Sequence, residues 1–199
     1  MVQIIGVSGV SGAGKTAITK KLGTALQATT VFWDEYDAIS QAPKDYVEWY
    51  KTTRDYNEWK YEALEKVLQM LKSGKSLICP ATKRMLIATP YVIFDAPLGY
   101  NHKATGKYID FLVFLDTPLD IALARRLLRD YKGKPISERD EEHPGVLEDL
   151  QHYVEIARPV FLASYDIKKN CNLVLDGSLD LDNQVKTVLK AISEKGAGP

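Results

Sequence analysis

Short apolar runs and stretches of helical periodicity alternate along the whole chain. Val2, Ile4, Ile5 and Val7 form a β-branched run of strand length, and over 15–27 the apolar residues Ile18, Leu22 and Leu26 recur at helical spacing. The same reading predicts strands at 30–33, 76–79, 91–95, 109–115 and 172–175, and helices within 43–72 and over 118–131, 146–165 and 180–194. Such alternation builds a parallel sheet covered by helices on both faces, a three-layer α/β sandwich. Ligands of such sheets bind beyond the carboxyl ends of the strands, so the residues that follow each strand carry the interest. Thr117-Pro118-Leu119-Asp120 reads as a capping box with Pro at the first helical position. The segment 131–145, dense in Lys, Arg, Glu, Asp and Pro, reads as a charged lid, with a solvated loop as the alternative. The Gly-Ala-Gly-Pro run at 196–199 reads as a frayed tail.

Composition narrows this picture. A chain of 199 residues with 45% apolar content can bury one good core, so a single domain over 1–199 is expected. Basic and acidic residues balance at 26 each, which removes any overall field toward nucleic acid or an anionic membrane. Cys79 and Cys171 lie far apart without C-x-x-C spacing and read as reduced thiols. No basic-then-apolar leader opens the chain and no apolar run approaches about 18 residues, so a cytoplasmic location is expected. Whether the protein is a monomer or a homodimer stays open.

The chemistry starts at Gly9-Val10-Ser11-Gly12-Ala13-Gly14-Lys15-Thr16, a complete G-x-x-x-x-G-K-[ST] phosphate loop between a predicted strand and a predicted helix. Gly9, Ser11, Gly12, Ala13, Gly14, Lys15, Thr16 and Ala17 are its candidate ATP-binding residues, with successive N–H groups from Gly12 to Thr16 turned toward the anion. Lys15 would neutralise the β and γ oxygens, and the Thr16 hydroxyl would bind Mg²⁺.

Three further signals select among nucleotide proteins. No guanine-reading N-K-x-D occurs, and Asp95-Ala96-Pro97-Leu98-Gly99 is one residue too long for a D-x-x-G switch, which disfavours a GTPase. The strand 91–95 ends in Asp95, a candidate Mg²⁺ carboxylate in addition to the Thr16 hydroxyl, but Ala96 follows where hydrolytic ATPases carry Glu. What remains is equipment for moving phosphate to a bound acceptor. Asp34, beyond a strand expected beside the phosphate-loop strand, is the candidate base and a second metal-linked carboxylate, with Asp37 as its competitor for the base. Arg126 and Arg129 are candidate catalytic clamps on the transferred group, and Arg125, on the same helix, is a further candidate ATP-binding residue.

Nine of the nineteen aromatic residues fall between Phe32 and Tyr61. Tyr46, Trp49 and Tyr50 share helical spacing, as do Tyr56, Trp59 and Lys60, so core packing is the default and stacking on a planar acceptor the alternative. Tyr36, Trp49, Arg54, Trp59, Lys83 and Arg84 are the candidate acceptor contacts, within a segment of about 35–61 and the turn after 76–79.

The run Ile4 to Thr16 resembles the opening of the uridine kinase and nicotinamide riboside kinase group of nucleoside kinases. Asp34-Glu35-Tyr36, Leu123-Ala124-Arg125-Arg126-Leu127-Leu128-Arg129-Asp130, His143-Pro144-Gly145, Arg158-Pro159-Val160-Phe161 and Val174-Leu175-Asp176-Gly177 also resemble family segments. The resemblance implies a P-loop fold with a five-stranded parallel sheet, ATP and Mg²⁺ as cofactors, and a small acceptor such as a nucleoside. It also implies Asp34 as base, the arginine helix as entry to the lid, and Asp176 beside adenine. Two departures stand out: Asp95-Ala96 replaces the Glu-Gly of uridine kinases, and the hairpin those enzymes place over the base is cut to about Pro80 through Pro90. Pantothenate, phosphoribulose or sugar kinases, and a nucleotide-binding regulator or weak ATPase, are the alternative readings.

Overall fold

The structure, a computed structural model, describes residues 1–132 and 145–196. In chain order the elements are β1 (Gln3–Gly9), α1 (Lys15–Ala25), β2 (Thr29–Phe32), α2 (Tyr46–Lys51), α3 (Glu62–Lys72), β3 (Leu77–Ile78), β4 (Met85–Leu86) and β5 (Tyr91–Asp95). They continue with α4 (Lys103–Gly106), β6 (Phe111–Asp116), α5 (Leu119–Tyr131), α6 (Val146–His152), α7 (Arg158–Ala163), β7 (Leu173–Asp176) and α8 (Leu181–Gly196). The five strands β2-β5-β1-β6-β7 form one sheet, parallel throughout. The predicted lid lies mostly in 133–144, and most of the predicted tail in 197–199, both outside the described residues.

Strand periodicity of two splits the core between the faces. Ile4, Val92, Phe94, Leu112 and Phe114 bury against Leu64, Val67, Leu68 and Leu71 of α3. Their neighbours Ile5, Val7, Ile93, Val113 and Leu115 point the other way, onto Ile18 and Leu22 of α1 and Val185, Val188 and Ile192 of α8. Apolar residues on both faces are what a central parallel strand requires, and β1, β5 and β6 supply them as continuous runs.

Four expectations change. The 76–79 segment leaves the main sheet: β3 pairs antiparallel with β4 in a separate two-stranded hairpin. β2 does not adjoin β1, because β5 lies between them, with Phe32 in register with Asp95 and Asp95 with Val7. The long helix over 146–165 is broken into α6, a π turn at Tyr153–Ala157 and α7. Pro159 in the first turn of α7 has no N–H to continue the upstream ladder, so a break there is natural. The capping box does not form either, since Pro118 is the N-cap of α5 and no side chain caps that end. Thr117 is fully buried and its hydroxyl donates instead to the Ala13 carbonyl at 3.2 Å.

Candidate active site

At the carboxyl end of β1 the backbone turns through the phosphate loop into α1. Gly14 caps that helix at φ +105° without a side-chain bond, and its first turn holds no acidic residue. The helix start therefore keeps its positive end clear for an anion. One expectation fails in detail: the Ala13 N–H donates to the Val10 carbonyl at 3.0 Å, so Ala13 is buried beneath the loop and its N–H is not turned to the site. The Ala13 carbonyl instead receives the Arg125 and Thr117 side chains.

Gly9, Ser11, Gly12, Gly14, Lys15, Thr16 and Ala17 line a cavity of about 540 Å³ that runs from the loop past Asp95, Arg125 and Arg129 to Trp33, Asp34 and a group of aromatic rings. Lys15 Nζ donates to the Val10 carbonyl at 3.2 Å, and burial draws its pKa below the ordinary lysine value against the pull of Asp95 and Asp34. Thr16 Oγ1 donates to Asp95 Oδ2 at 3.0 Å. Asp95 is only 5% exposed, and burial raises its pKa while the Lys15 charge and the Thr16 bond hold it down.

Thr16 and Asp95 offer hard oxygen donors, the donor chemistry that Mg²⁺ takes. Among the described residues no group of three His, Cys, Asp or Glu side chains forms a metal cage. A Mg²⁺ ion held by one or two protein oxygens and completed by phosphates and water does not require one.

Asp34 and Asp37 stand on a 3₁₀ turn, Trp33–Ile39, that follows β2. Asp34 has no hydrogen-bond or ion-pair partner among the described residues, and its charge is felt at Lys15, Asp95 and Arg129. Asp37 lines the same cavity, and its Oδ1 accepts a 2.6 Å bond from the Tyr61 hydroxyl. Partial burial raises the Asp37 pKa, and burial with the Asp37 contact raises that of Tyr61.

The three arginines of α5 separate. Arg125 Nη1 donates to Gly177 O at 3.0 Å and sits at 3.4 Å from Ala13 O, tying the turn after β7 to the phosphate loop. Arg129 lines the cavity one helical turn on, with its fork also on Asp130. Arg126 departs from expectation. It lies 100° around the helix from Arg125 and forks onto both Asp149 oxygens at 3.0 Å, away from the phosphate loop.

The candidate acceptor residues also divide. Trp49 and Trp59 line the cavity, their rings T-shaped at 4.5 Å. Tyr36 does not: it is fully buried, with its hydroxyl 3.3 Å from Cys79 Sγ, because it turns to the sheet side of the 3₁₀ segment. Arg54 is held by its own helix end, with Nε on Tyr50 O and the guanidinium 4.1 Å from the Tyr50 ring. Lys83 bonds Pro80 O on the hairpin turn, and Arg84 pairs with Glu35. Each has a nearer partner than the cavity. Asp176 is exposed and caps its own turn, accepting from Ser178 N and Oγ, so the Gly177 carbonyl and not the Asp176 carboxylate faces Arg125.

Trp33, Tyr46, Tyr56 and Tyr61 complete the aromatic end of the cavity and were not singled out from sequence as acceptor contacts. Trp33 and Tyr61 meet with ring centroids 4.2 Å apart, tilted at 35°, and Tyr46 stacks at 5.9 Å on Trp59. Much of this stretch is irregular backbone, so helical spacing could not say which rings face inward.

A profile of the Phosphoribulokinase / Uridine kinase family matches residues 4–158. The uridine kinase of Tolumonas auensis is 31% identical over 176 residues, covering 80% of this chain and 78% of that enzyme. That of Cronobacter sakazakii is 30% identical over 185 residues, covering 83% and 82%. Among solved structures, the shikimate kinase of Bacteroides thetaiotaomicron superposes with a TM-score of 0.53 over 96% of this chain and 98% of its own, at 16% identity, a likeness of fold. No helix among the described residues is long and apolar enough to cross a membrane. With most of its length matched by one profile and by enzymes nearly a third identical, the chain belongs to the phosphoribulokinase / uridine kinase family and is an ATP-dependent kinase that phosphorylates a hydroxyl of a small molecule.

Proposed function

We propose that the acceptor is a nucleoside and that the phosphorylated group is its ribose 5′-hydroxyl. The supporting observation is the division of charge in the cavity: its described cationic residues, Lys15, Arg125 and Arg129, all belong to the phosphate-loop end, whereas Asp34, Asp37 and the rings of Trp33, Tyr46, Trp49, Tyr56, Trp59 and Tyr61 line the remainder together with aliphatic side chains such as Leu98 and Ile167. Rings fit a planar base, and two carboxylates fit hydroxyl donors. An acid or phosphate ester, such as pantothenate or a phosphoribulose, would bring its anion to the ring end, where Asp37 stands and no described cation lines the cavity. A simple sugar has no planar π ring to stack between the aromatic faces, and a regulator without an acceptor would have no need of the cavity beyond Asp34.

In this reading the N–H groups at the start of α1 and the Lys15 ammonium hold the ATP phosphates. Thr16, Asp95 and Asp34 would hold Mg²⁺, which when bound would neutralise charge on the phosphate oxygens. Asp34, free of any described partner, accepts the proton of the 5′-hydroxyl and orients it in line. Arg129 adds charge to the equatorial oxygens of the moving group. Arg125 and the Gly177 turn fix the side of the loop where the adenine lies.

The test is ADP formation with ATP and Mg²⁺ against uridine, cytidine, nicotinamide riboside, pantothenate and simple sugars, in the native enzyme and in Lys15→Ala. Stimulation by a nucleoside, lowered about 10³-fold in Lys15→Ala, is expected. Stimulation by pantothenate or a sugar alone overturns the nucleoside assignment.

A further inference from the structure

β2 is an edge strand: in the order β2-β5-β1-β6-β7 it has one ladder, to β5, over four residues. The turn Trp33–Ile39 leaves its end, and no side chain caps that turn. Asp34 projects from it into the cavity without a hydrogen-bond or ion-pair partner of its own among the described residues. Its position is therefore set by the residues on either side. Three residues make one 3₁₀ turn, so successive side chains point about 120° apart, and neither Glu35 nor Tyr36 lines the cavity. Both meet the β3–β4 hairpin instead. Arg84 Nη2 donates to the two Glu35 oxygens at 2.8 and 3.0 Å, and the Tyr36 hydroxyl lies 3.3 Å from the Sγ of fully buried Cys79. Arg84 is itself oriented, its Nε donating to Thr82 Oγ1 at 3.2 Å. The hairpin is closed by Cys79 N on Arg84 O at 2.8 Å, Lys83 N on Cys79 O at 2.9 Å and Ala88 N on Ser76 Oγ at 3.0 Å. Its outgoing arm reaches the other end of β2, where Thr29 N donates to Thr89 Oγ1 at 2.9 Å and Thr29 Oγ1 to Ile87 O. One short segment, 76–89, thus grips β2 at its start and the turn beyond its end.

From this arrangement we infer that Glu35 and Arg84 are positioning residues for phosphate transfer: through their ion pair, beside the Tyr36 contact, the β3–β4 hairpin holds the turn so that Asp34 stays in line with the acceptor hydroxyl. The inference rests on Asp34 as base, as read above, and extends it to a part of the fold that lines no part of the cavity. Arg84 is 50% exposed and Glu35 26%, so water screens the pair and it adds little to global stability. Alignment is more demanding, since a misplacement of about 1 Å at a reacting group can cost about 10²-fold in rate. Loss of the pair therefore lowers kcat and spares KM, because Asp34 acts on the proton in the transition state while ATP and the body of the acceptor are held by other residues. Tyr36 on Cys79 still anchors the turn when the pair is cut, so the loss is partial.

The experiment is single-turnover and steady-state phosphate transfer from ATP to uridine in the native enzyme, Arg84→Met, Glu35→Met, the double variant and Arg84→Lys, and in Asp34→Asn with and without Arg84→Met. Each Met variant is expected to lower kcat about 10-fold, with KM for uridine and ATP within about twofold and an unmoved denaturation midpoint. The double variant should be no slower than either single one, and Arg84→Lys, which keeps a charge for Glu35, should recover most of the rate. With Asp34→Asn already in place, Arg84→Met should change the residual rate by less than about twofold, since the pair acts only through that carboxylate. A native kcat in both Met variants, an effect confined to KM, or an undiminished loss in the Asp34→Asn background overturns the inference. An Asp34→Asn enzyme as fast as the native one overturns the base reading and this inference with it. Should uridine be inert and another alcohol turned over, the nucleoside reading fails alone, and the same variants are compared with that alcohol. If no acceptor stimulates ADP formation, both fall.

Discussion

Thr16 Oγ1 lies 3.0 Å from Asp95 Oδ2, so the last residue of the phosphate loop and the last residue of β5 share one hydrogen bond. The register explains it: Asp95 is paired with Val7 of β1 on one side and with Phe32 of β2 on the other, which brings the ends of three strands to one point. Replacing Thr16 by Val keeps the shape and removes the hydroxyl. The expected result is a rise of roughly 10- to 100-fold in the Mg²⁺ concentration needed for half-maximal ADP formation, as loss of a metal-orienting partner gives elsewhere. Asp95→Asn should shift the same titration in the same direction. An unchanged Mg²⁺ dependence in both variants removes this pair from the metal site.

Arg126 and Arg129 should behave differently although sequence places them together. Arg129 faces the cavity, and Arg129→Ala is expected to lower kcat roughly 10²- to 10³-fold with stability little changed. Arg126 and Asp149 are 15% and 17% exposed, so the pair is mostly removed from water. Arg126→Ala leaves the Asp149 carboxylate, among the described residues, with the long Tyr131 contact at 3.4 Å, and about 3 kcal/mol of stability should be lost. Chemical denaturation and single-turnover rates on both variants separate the two roles.

Gly12 is a glycine for two independent reasons. Its φ of +85° is a left-handed conformation, and a Cβ there would stand 2.1 Å from the Ala122 carbonyl of α5. That oxygen belongs to helix backbone and cannot swing aside. Gly12→Ala should therefore displace the loop from α5, lowering stability by about 1–3 kcal/mol and weakening ATP binding together. Equilibrium binding of ATP beside a denaturation curve checks both; normal ATP affinity in this variant means the loop tolerates the shift.

How far the sequence could be read depends on what each residue touches. Ile4 against Ile5 and Val92 against Ile93 already carry the two-faced sheet, because strand periodicity is local. Lys15 and Thr16 are legible for the same reason, since loop, glycines and helix start are contiguous. Arg126 was misplaced because its partner Asp149 lies beyond the charged segment, and only the helical step of 100° separates it from Arg125. Tyr36 was misplaced because a 3₁₀ run, not an α-helix or a loop, decides which of the residues 33–37 turn inward to the sheet. Thr117 would cap α5 by local rules, but its hydroxyl bonds the Ala13 carbonyl while Gly177 packs against it closely enough that a Cβ would stand 1.7 Å from its Oγ1. Long-range contacts override short-range preferences at each of these places.

His102 supplies a pH prediction for the acceptor wall. It is 1% exposed, with Nε2 2.8 Å from the Trp59 carbonyl and Nδ1 2.8 Å from the Thr105 hydroxyl, and it meets the Trp33 ring edge-on at 5.2 Å. A carbonyl only accepts, so Nε2 carries the proton and Nδ1 accepts from Thr105 in the neutral ring. Burial lowers its pKa from 6.5, outweighing the Trp59 carbonyl and the Glu65 charge, which favour protonation. The unfolded chain then binds the proton first as pH falls, so the unfolded state gains protons that the folded state refuses. The contribution is complete above pH 6.5 and declines as pH drops from there toward the folded pKa, with a slope of at most about 1.4 kcal/mol per pH unit from this one group. Denaturation midpoints measured from pH 7.5 down to 5 should show this decline in the native protein and a flatter course in His102→Gln, which cannot titrate. Equal slopes in the two proteins would assign the acid sensitivity to other groups.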